Sequence, residues 1–257
     1  MTPWSVGRND RTTKPRRWGL THVIDTGVPI EHLRGQLDVV ADYTDIWKFG
    51  FGTSYLDPTV AKKVQVLGDT GIDACVGGTL LEAAWLESKE RMCLAWAKDV
   101  GFPCIEVSNG ASGMTAVEKR HLIELASADF VVLSEVGSKD PADPVISSVW
   151  AEEMAADLAA GATWGIAEGR ESGTVGLYRP DGSVRWDLVE SIAEAVSIDR
   201  VVFEAPRTSQ QAAFIRTYGP NVSLGNIAPH DILGLEALRR GLRADTLGAG
   251  ASPDGAP

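Results

Sequence analysis

Residues 103–137 read PCIEVSNGASGMTAVEKRHLIELASADFVVLSEVG. The segment opens with PCIEVSNG, a short β-rich run closing on polar residues and glycine. TAVEKRHLIELASA follows with apolar residues at helical period, and FVVLSEVG is a second β-rich run. Two strands separated by one amphipathic helix require a parallel pairing with a right-handed crossover.

Working outward, the same unit recurs along the chain. Further strands are read at THVIDTG, TDIWKFGFG, DACVGG, TWGIAEGRESG, RVVFEAP and VSLGNI, making eight. Helical stretches lie between them at PTVAKKVQVLGDTG, LLEAAWLESKERMCLAWAKDVG, WAEEMAADLAAG, DLVESIAEAV and QQAAFIRTYG, often ending at glycine. Strict alternation predicts an α/β fold, a single-domain (β/α)8 TIM barrel over residues 18–247. A doubly wound sheet would carry GxGxxG after its first strand, and none is present. Residues 1–17 read as a flexible basic extension and 248–257 as a disordered tail.

The 257 residues are 44% hydrophobic and 23% charged, enough for a sizeable core. A net charge of -11 argues against nucleic acid or an anionic membrane as partner and requires any anion site to be local. Three cysteines without CxxC or Cys/His spacing, no apolar leader and no long apolar run point to a cytoplasmic protein. The four histidines show neither metal spacing nor a Ser/Asp arrangement.

In a barrel, residues at the carboxyl ends of the strands converge on one face. Those residues are Asp25, Lys48, the Gly77–Gly78–Thr79 turn, Glu106 with Ser108 and Asn109, Glu135, Glu168 with Arg170 and Glu171, Glu204, and Asn226. So many buried acids need cations, and carboxylates without His or Cys suit a hard divalent ion, with Mg2+ preferred. Simple ion pairs with Lys48, Arg170 and Lys139 are the competing reading. Strand alternation sends Glu168 and Arg170 to one side and Glu171 to the other. A phosphate is expected after the last two strands, near Ser209, Gln210 and Asn226, where ordinary helix capping is the alternative. Arg239 and Arg243 could reach an anion or pair with Glu236 and Asp245.

The phrases KFGFGTS, GGTLLE, IEVSNG, SEVGSKD, EGRESGT, FEAPRTSQQAAFI, LGNI and LEALRRGLRADT stand in order between about Leu20 and Leu247. Together they resemble the phosphosulfolactate synthase family, whose (β/α)8 barrels join sulfite to phosphoenolpyruvate with magnesium. The resemblance points to Asp25, Lys48, Glu106, Glu135, Glu168, Arg170, Glu171, Glu204 and Asn226, and implies an enolpyruvate phosphate ester as substrate. Two phrases depart from the pattern. GFGTS stands where GWGTS is frequent, and Ser138 precedes Lys139 where the family usually has two lysines. Residues 1–17 have no counterpart in it.

Residue chemistry and resemblance together assign Lys48, Arg170, Lys139 and Glu106 to catalysis. Asp25, Gly78, Ser108, Glu171, Ser209, Gln210 and Asn226 are assigned to substrate, and Glu135, Glu168 and Glu204 to Mg2+. Lys48, with a pKa lowered by partial dehydration, is the expected proton donor, and a homo-oligomer is compatible with this reading. The alternatives are a paralogue adding another nucleophile, an aldolase or isomerase with Lys48 as Schiff base or base, and a non-catalytic barrel that binds a ligand or partner.

Overall fold

The computed structural model describes residues 6–7, 10–137 and 145–248. Eight parallel strands close a barrel in sequence order. They are β1 Thr21–Asp25, β2 Ile46–Phe49, β3 Asp73–Val76, β4 Cys104–Val107, β5 Val131–Val136, β6 Trp164–Ala167, β7 Val201–Glu204 and β8 Ser223–Ile227. The helices, in chain order, are α1 Ile30–Val40, α2 Thr53–Leu56, α3 Val60–Asp69, α4 Gly78–Leu86, α5 Glu90–Val100, α6 Ala116–Ala126, α7 Ser147–Ala159, α8 Trp186–Ala195, α9 Thr208–Tyr218 and α10 Ile232–Arg239.

Every expected strand is present. The stretch read as one helix over residues 80–101 is two, because Ser88 takes φ 56° and the Lys89 amide turns back to the Ala84 carbonyl. α5 then ends on Gly101 at φ 94°, a left-handed stop that glycine adopts without a Cβ clash.

Strand pleating sorts the side chains. Trp47, Phe49, Ile105, Val132 and Phe203 face the helices in the main core, where Phe203 stacks on Phe214 with ring centroids 4.7 Å apart. Leu20, Ile46, Cys75, Cys104, Leu133, Ile166 and Val202 fill the barrel interior as a separate apolar layer. Two residues further along five of these strands stand Lys48, Glu106, Glu135, Glu168 and Glu204. A period of two therefore stacks a charged layer directly on an apolar one.

The opposite end of the barrel is closed by residues 10–17, which the sequence reading assigned to a flexible extension. Arg11 reaches Glu236 at 3.3 Å and Arg16 reaches Asp45 at 3.1 Å. The Thr12 amide donates to Asn221, and the Trp164 indole donates to the Arg17 carbonyl. Arg239, fully buried, donates to the carbonyls of Pro220, Val222 and Leu20. It fastens this end and lies away from any anion site, while Arg243 pairs with Asp245 at 3.1 Å.

Candidate active site

A cleft of about 500 Å³ opens at the carboxyl ends of the strands, lined among others by Lys48, Gly78, Thr79, Glu106, Glu135, Glu168, Arg170, Glu171, Glu204 and Asn226. Its floor is the charged layer. Lys48 Nζ lies 3.0 Å from Glu106 Oε1 and 3.4 Å from Glu204 Oε1, with all three side chains buried. Burial alone would lower the lysine pKa, but Glu106, then Glu204 and Glu135, outweigh it and leave the ammonium more basic than usual. The expected shift toward neutrality is thus reversed, because the desolvated amine sits among carboxylates rather than in an apolar pocket.

Glu106 shows the complementary effect. Burial would raise it, yet Lys48 and His22 hold it at about 2. Its other oxygen accepts the Gly78 amide at 3.3 Å. Gly78 must be glycine, since a Cβ there would collide with Ser108 Oγ. Ser108 itself donates to Glu82, which also accepts the Ala111 amide, so Ser108 shapes the cleft wall from behind.

Glu135, Glu168 and Glu204 crowd together on the other side. Burial first, then Glu135 and Glu204, push the Glu168 carboxyl well above its usual range. Lys119 braces this wall from the helix layer: fully buried on α6, it donates to the Glu135 carbonyl at 2.6 Å and pairs with Asp157 at 2.8 Å. Among the described residues no three or more of His, Cys, Asp and Glu form a ready-made metal cage. The donor set nevertheless fits a hard cation chemically, because Mg2+ needs only one or two protein carboxylates beside substrate oxygens, and crowded carboxylates gain from a positive charge.

Strand β6 ends at Ala167 and the Glu168 amide still bonds the Val136 carbonyl at 3.1 Å, but alternation does not extend past Glu168. The Arg170 amide turns back to Glu168 at 2.6 Å with φ 49°, and Glu168, Arg170, Glu171 and Ser172 all line the cleft. The expected separation of Glu171 from Arg170 is therefore overturned. Asn226 arrives by another irregularity. β8 pairs with β1 at Thr21↔Leu224 and next at Val23↔Ile227, a bulge that leaves Asn226 at φ 53° and 5% exposed. It divides the cleft from a groove of about 940 Å³ that is also lined by Thr26, His32, Gln36, His230 and Leu233.

Besides Ser108, which stands behind the wall, three of the assigned substrate residues are placed elsewhere. Asp25 follows Val23 to the outer face and accepts from Trp47 Nε1 at 3.0 Å and from the Gly27 and Val28 amides, with Lys63 3.6 Å away. Ser209 is exposed on α9 and outside the cleft lining. Gln210 is buried and donates to the carbonyls of Gly173 and Gly182, so it supports the loop bearing Arg170 rather than facing the cleft. Lys139 and Ser138 lie outside the described residues.

Sequence reasoning overlooked His22 and Lys119. Lys119 was detectable, since Lys119, Leu122, Ile123 and Ala126 form one buried stripe at i, i+3, i+4 and i+7, and a lysine there needs an acid behind it. His22 precedes Ile24, a cleft residue, by one period of the strand.

The profile of the (2R)-phospho-3-sulfolactate synthase family (ComA) matches residues 9–245, so the match takes in residues 9–17, which had seemed to have no counterpart. The chain is 41% identical to the phosphosulfolactate synthase of Bacillus subtilis strain 168 over 96% of its length and 99% of that protein. Identity is also 41% to the phosphosulfolactate synthase of Methanothermobacter thermautotrophicus, over 93% of the chain and 95% of the relative. Among solved structures, 3-hexulose-6-phosphate synthase from Salmonella typhimurium superposes with a TM-score of 0.56 at 13% identity, covering 89% of this chain and 93% of that one. 3-Keto-L-gulonate-6-phosphate decarboxylase from Vibrio cholerae gives 0.56 at 11% identity, covering 87% and 96%. These two likenesses concern the fold alone.

Proposed function

The chain belongs to the (2R)-phospho-3-sulfolactate synthase family, enzymes of the lyase type that form a carbon–sulfur bond, and from that premise we propose that it adds sulfite to phosphoenolpyruvate with Mg2+. The product would be 2-phospho-3-sulfolactate. The observation that carries this reading is the composition of one cleft: an acid cluster, a lysine held between two carboxylates and an arginine aimed in from a strained turn.

Sulfite sulfur attacks the methylene carbon, the double-bond pair moves toward the carboxylate, and a proton then arrives at the phosphate-bearing carbon. Both reactants are anions. Arg170 supplies a planar donor pair for a carboxylate, phosphate or sulfonate, and the first turn of α4, with Gly78 and Thr79 in the lining, presents the positive end of a helix. Glu135, Glu168 and Glu204 are the residues that would hold Mg2+, which when bound supplies positive charge against the carboxylate as negative charge builds there.

Lys48 carries the proton at Nζ. Its neighbours keep it charged, so it offsets the charge of the addition intermediate and can donate only to a strongly basic centre, which the carbanion-like carbon is. The same charge counts against a Schiff-base role, which requires a neutral amine. A cytoplasmic location is part of this proposal, since all three cysteines are free, as suits a reducing compartment. Detection of the sulfonated adduct by mass spectrometry tests the proposal.

A further inference from the structure

His22 lies inside the barrel beneath the cleft, fully buried, on the inner face of β1. Its Nε2 is 3.1 Å from Glu106 Oε1, the same oxygen that lies 3.0 Å from Lys48 Nζ. Its Nδ1 has no partner and faces Gly225, where a Cβ would come within 3.1 Å of that nitrogen and 3.0 Å of a Val202 methyl. Gly225 sits in the β8 bulge, immediately before Asn226. One imidazole therefore touches the acid that partners Lys48 and packs against the backbone that turns Asn226 into the cleft. A buried ring with one nitrogen 3.1 Å from a carboxylate and the other packed on backbone has little room to turn, and a Glu106 oxygen held within 3.1 Å of both His22 and Lys48 has little freedom left.

We propose that His22 is the positioning residue of this site: it fixes the Glu106 carboxylate under Lys48 and props the Gly225–Asn226 bulge, without touching substrate. The inference rests on the proposed sulfite addition for its kinetic consequence, though the geometric consequence stands without it. Misplacing a catalytic group by about 1 Å can cost on the order of 100-fold in rate, whereas a group remote from substrate has little hold on its binding.

The test compares three full-length variants. His22→Phe fills the space without a donor, His22→Gln keeps an amide donor, and Gly225→Ala crowds the ring while retaining the imidazole. Expected for His22→Phe is a roughly 10- to 100-fold fall in kcat with KM for phosphoenolpyruvate unchanged. His22→Gln should recover much of kcat, and Gly225→Ala should fall between the two. Crystal structures of the folded variants supply a readout independent of turnover: Glu106 should leave Lys48 in His22→Phe and remain beside it in His22→Gln. An unmoved Glu106 in His22→Phe would overturn the inference, as would kcat values that simply follow Tm with no recovery in His22→Gln. If the unaltered protein forms no adduct, the sulfite reading fails while the crystallographic comparison still decides the role of His22.

Discussion

The Lys48 ammonium on β2 lies 3.0 Å from the Glu106 carboxylate on β4, across the barrel interior, with Glu204 of β7 3.4 Å away on its other side. Removing one member of such a buried pair strands its partners. Lys48→Met should cost roughly 3–5 kcal/mol of stability, since Glu106 and Glu204 then share a buried site without a cation. Urea denaturation measures that loss, and turnover should vanish even where the variant is kept folded at low temperature.

Glu106 also gives the protein a pH signature. With a folded value of about 2 against an ordinary 4.5, its ionised form stabilises the fold in full above about pH 4.5. That contribution fades as pH falls from 4.5 toward 2. Glu106→Gln should therefore be less stable than the unaltered protein at neutral pH, with the difference narrowing on acidification. A constant difference across that window, measured by urea titrations, contradicts the ion-pair account.

Glu168 has the opposite sign. Its carboxyl is raised well above 4.5 by burial, Glu135 and Glu204, so the metal-free folded state holds a proton that the unfolded chain releases. Stability from this group is complete below 4.5 and declines as pH rises through the window above it. Glu168→Gln should remove that decline. Added Mg2+ should raise Tm of the unaltered protein near neutral pH, and the gain should shrink in Glu168→Gln and Glu135→Gln; thermal melts with and without the ion give the answer.

Much of this geometry follows from a period of two. The sequence pairs Ile46 with Lys48, Cys104 with Glu106, Leu133 with Glu135, Ile166 with Glu168 and Val202 with Glu204, which is why an acid-rich rim was legible before any coordinates. Asp25 misled because strand-end position was read without face: it shares the outer face with Val23, whereas His22 and Ile24 turn inward. The turn after Ala167 and the bulge at Asn226 were not legible, since both depend on left-handed residues that are not glycine. Gln210 resembled a phosphate ligand in sequence, and only the return of the loop at Gly173 and Gly182 gives its amide another task.

That loop yields a separate expectation. Gln210→Ala removes the amide that holds Gly173 and Gly182 and leaves the buried Gly173 carbonyl unpaired, a cost of about 1–3 kcal/mol. Because the same loop carries Arg170, KM for phosphoenolpyruvate should rise more than Tm falls in proportion to other core variants. Steady-state kinetics beside a thermal melt separate the two effects.

Arg170 itself should be dispensable for folding. Arg170→Ala is expected to retain a cooperative melt and lose turnover by at least 100-fold, and Arg170→Lys should recover little because a point charge does not replace a planar donor pair. Circular dichroism alongside the adduct assay decides between this outcome and a structural role.

The most direct measurement incubates the purified protein with Mg2+, phosphoenolpyruvate and sulfite and follows the mixture by mass spectrometry. The account predicts a new species equal in mass to phosphoenolpyruvate plus hydrogen sulfite, absent when the protein, the metal or sulfite is left out and absent with Arg170→Ala. Phosphoenolpyruvate that binds yet persists unchanged in the complete mixture would contradict it.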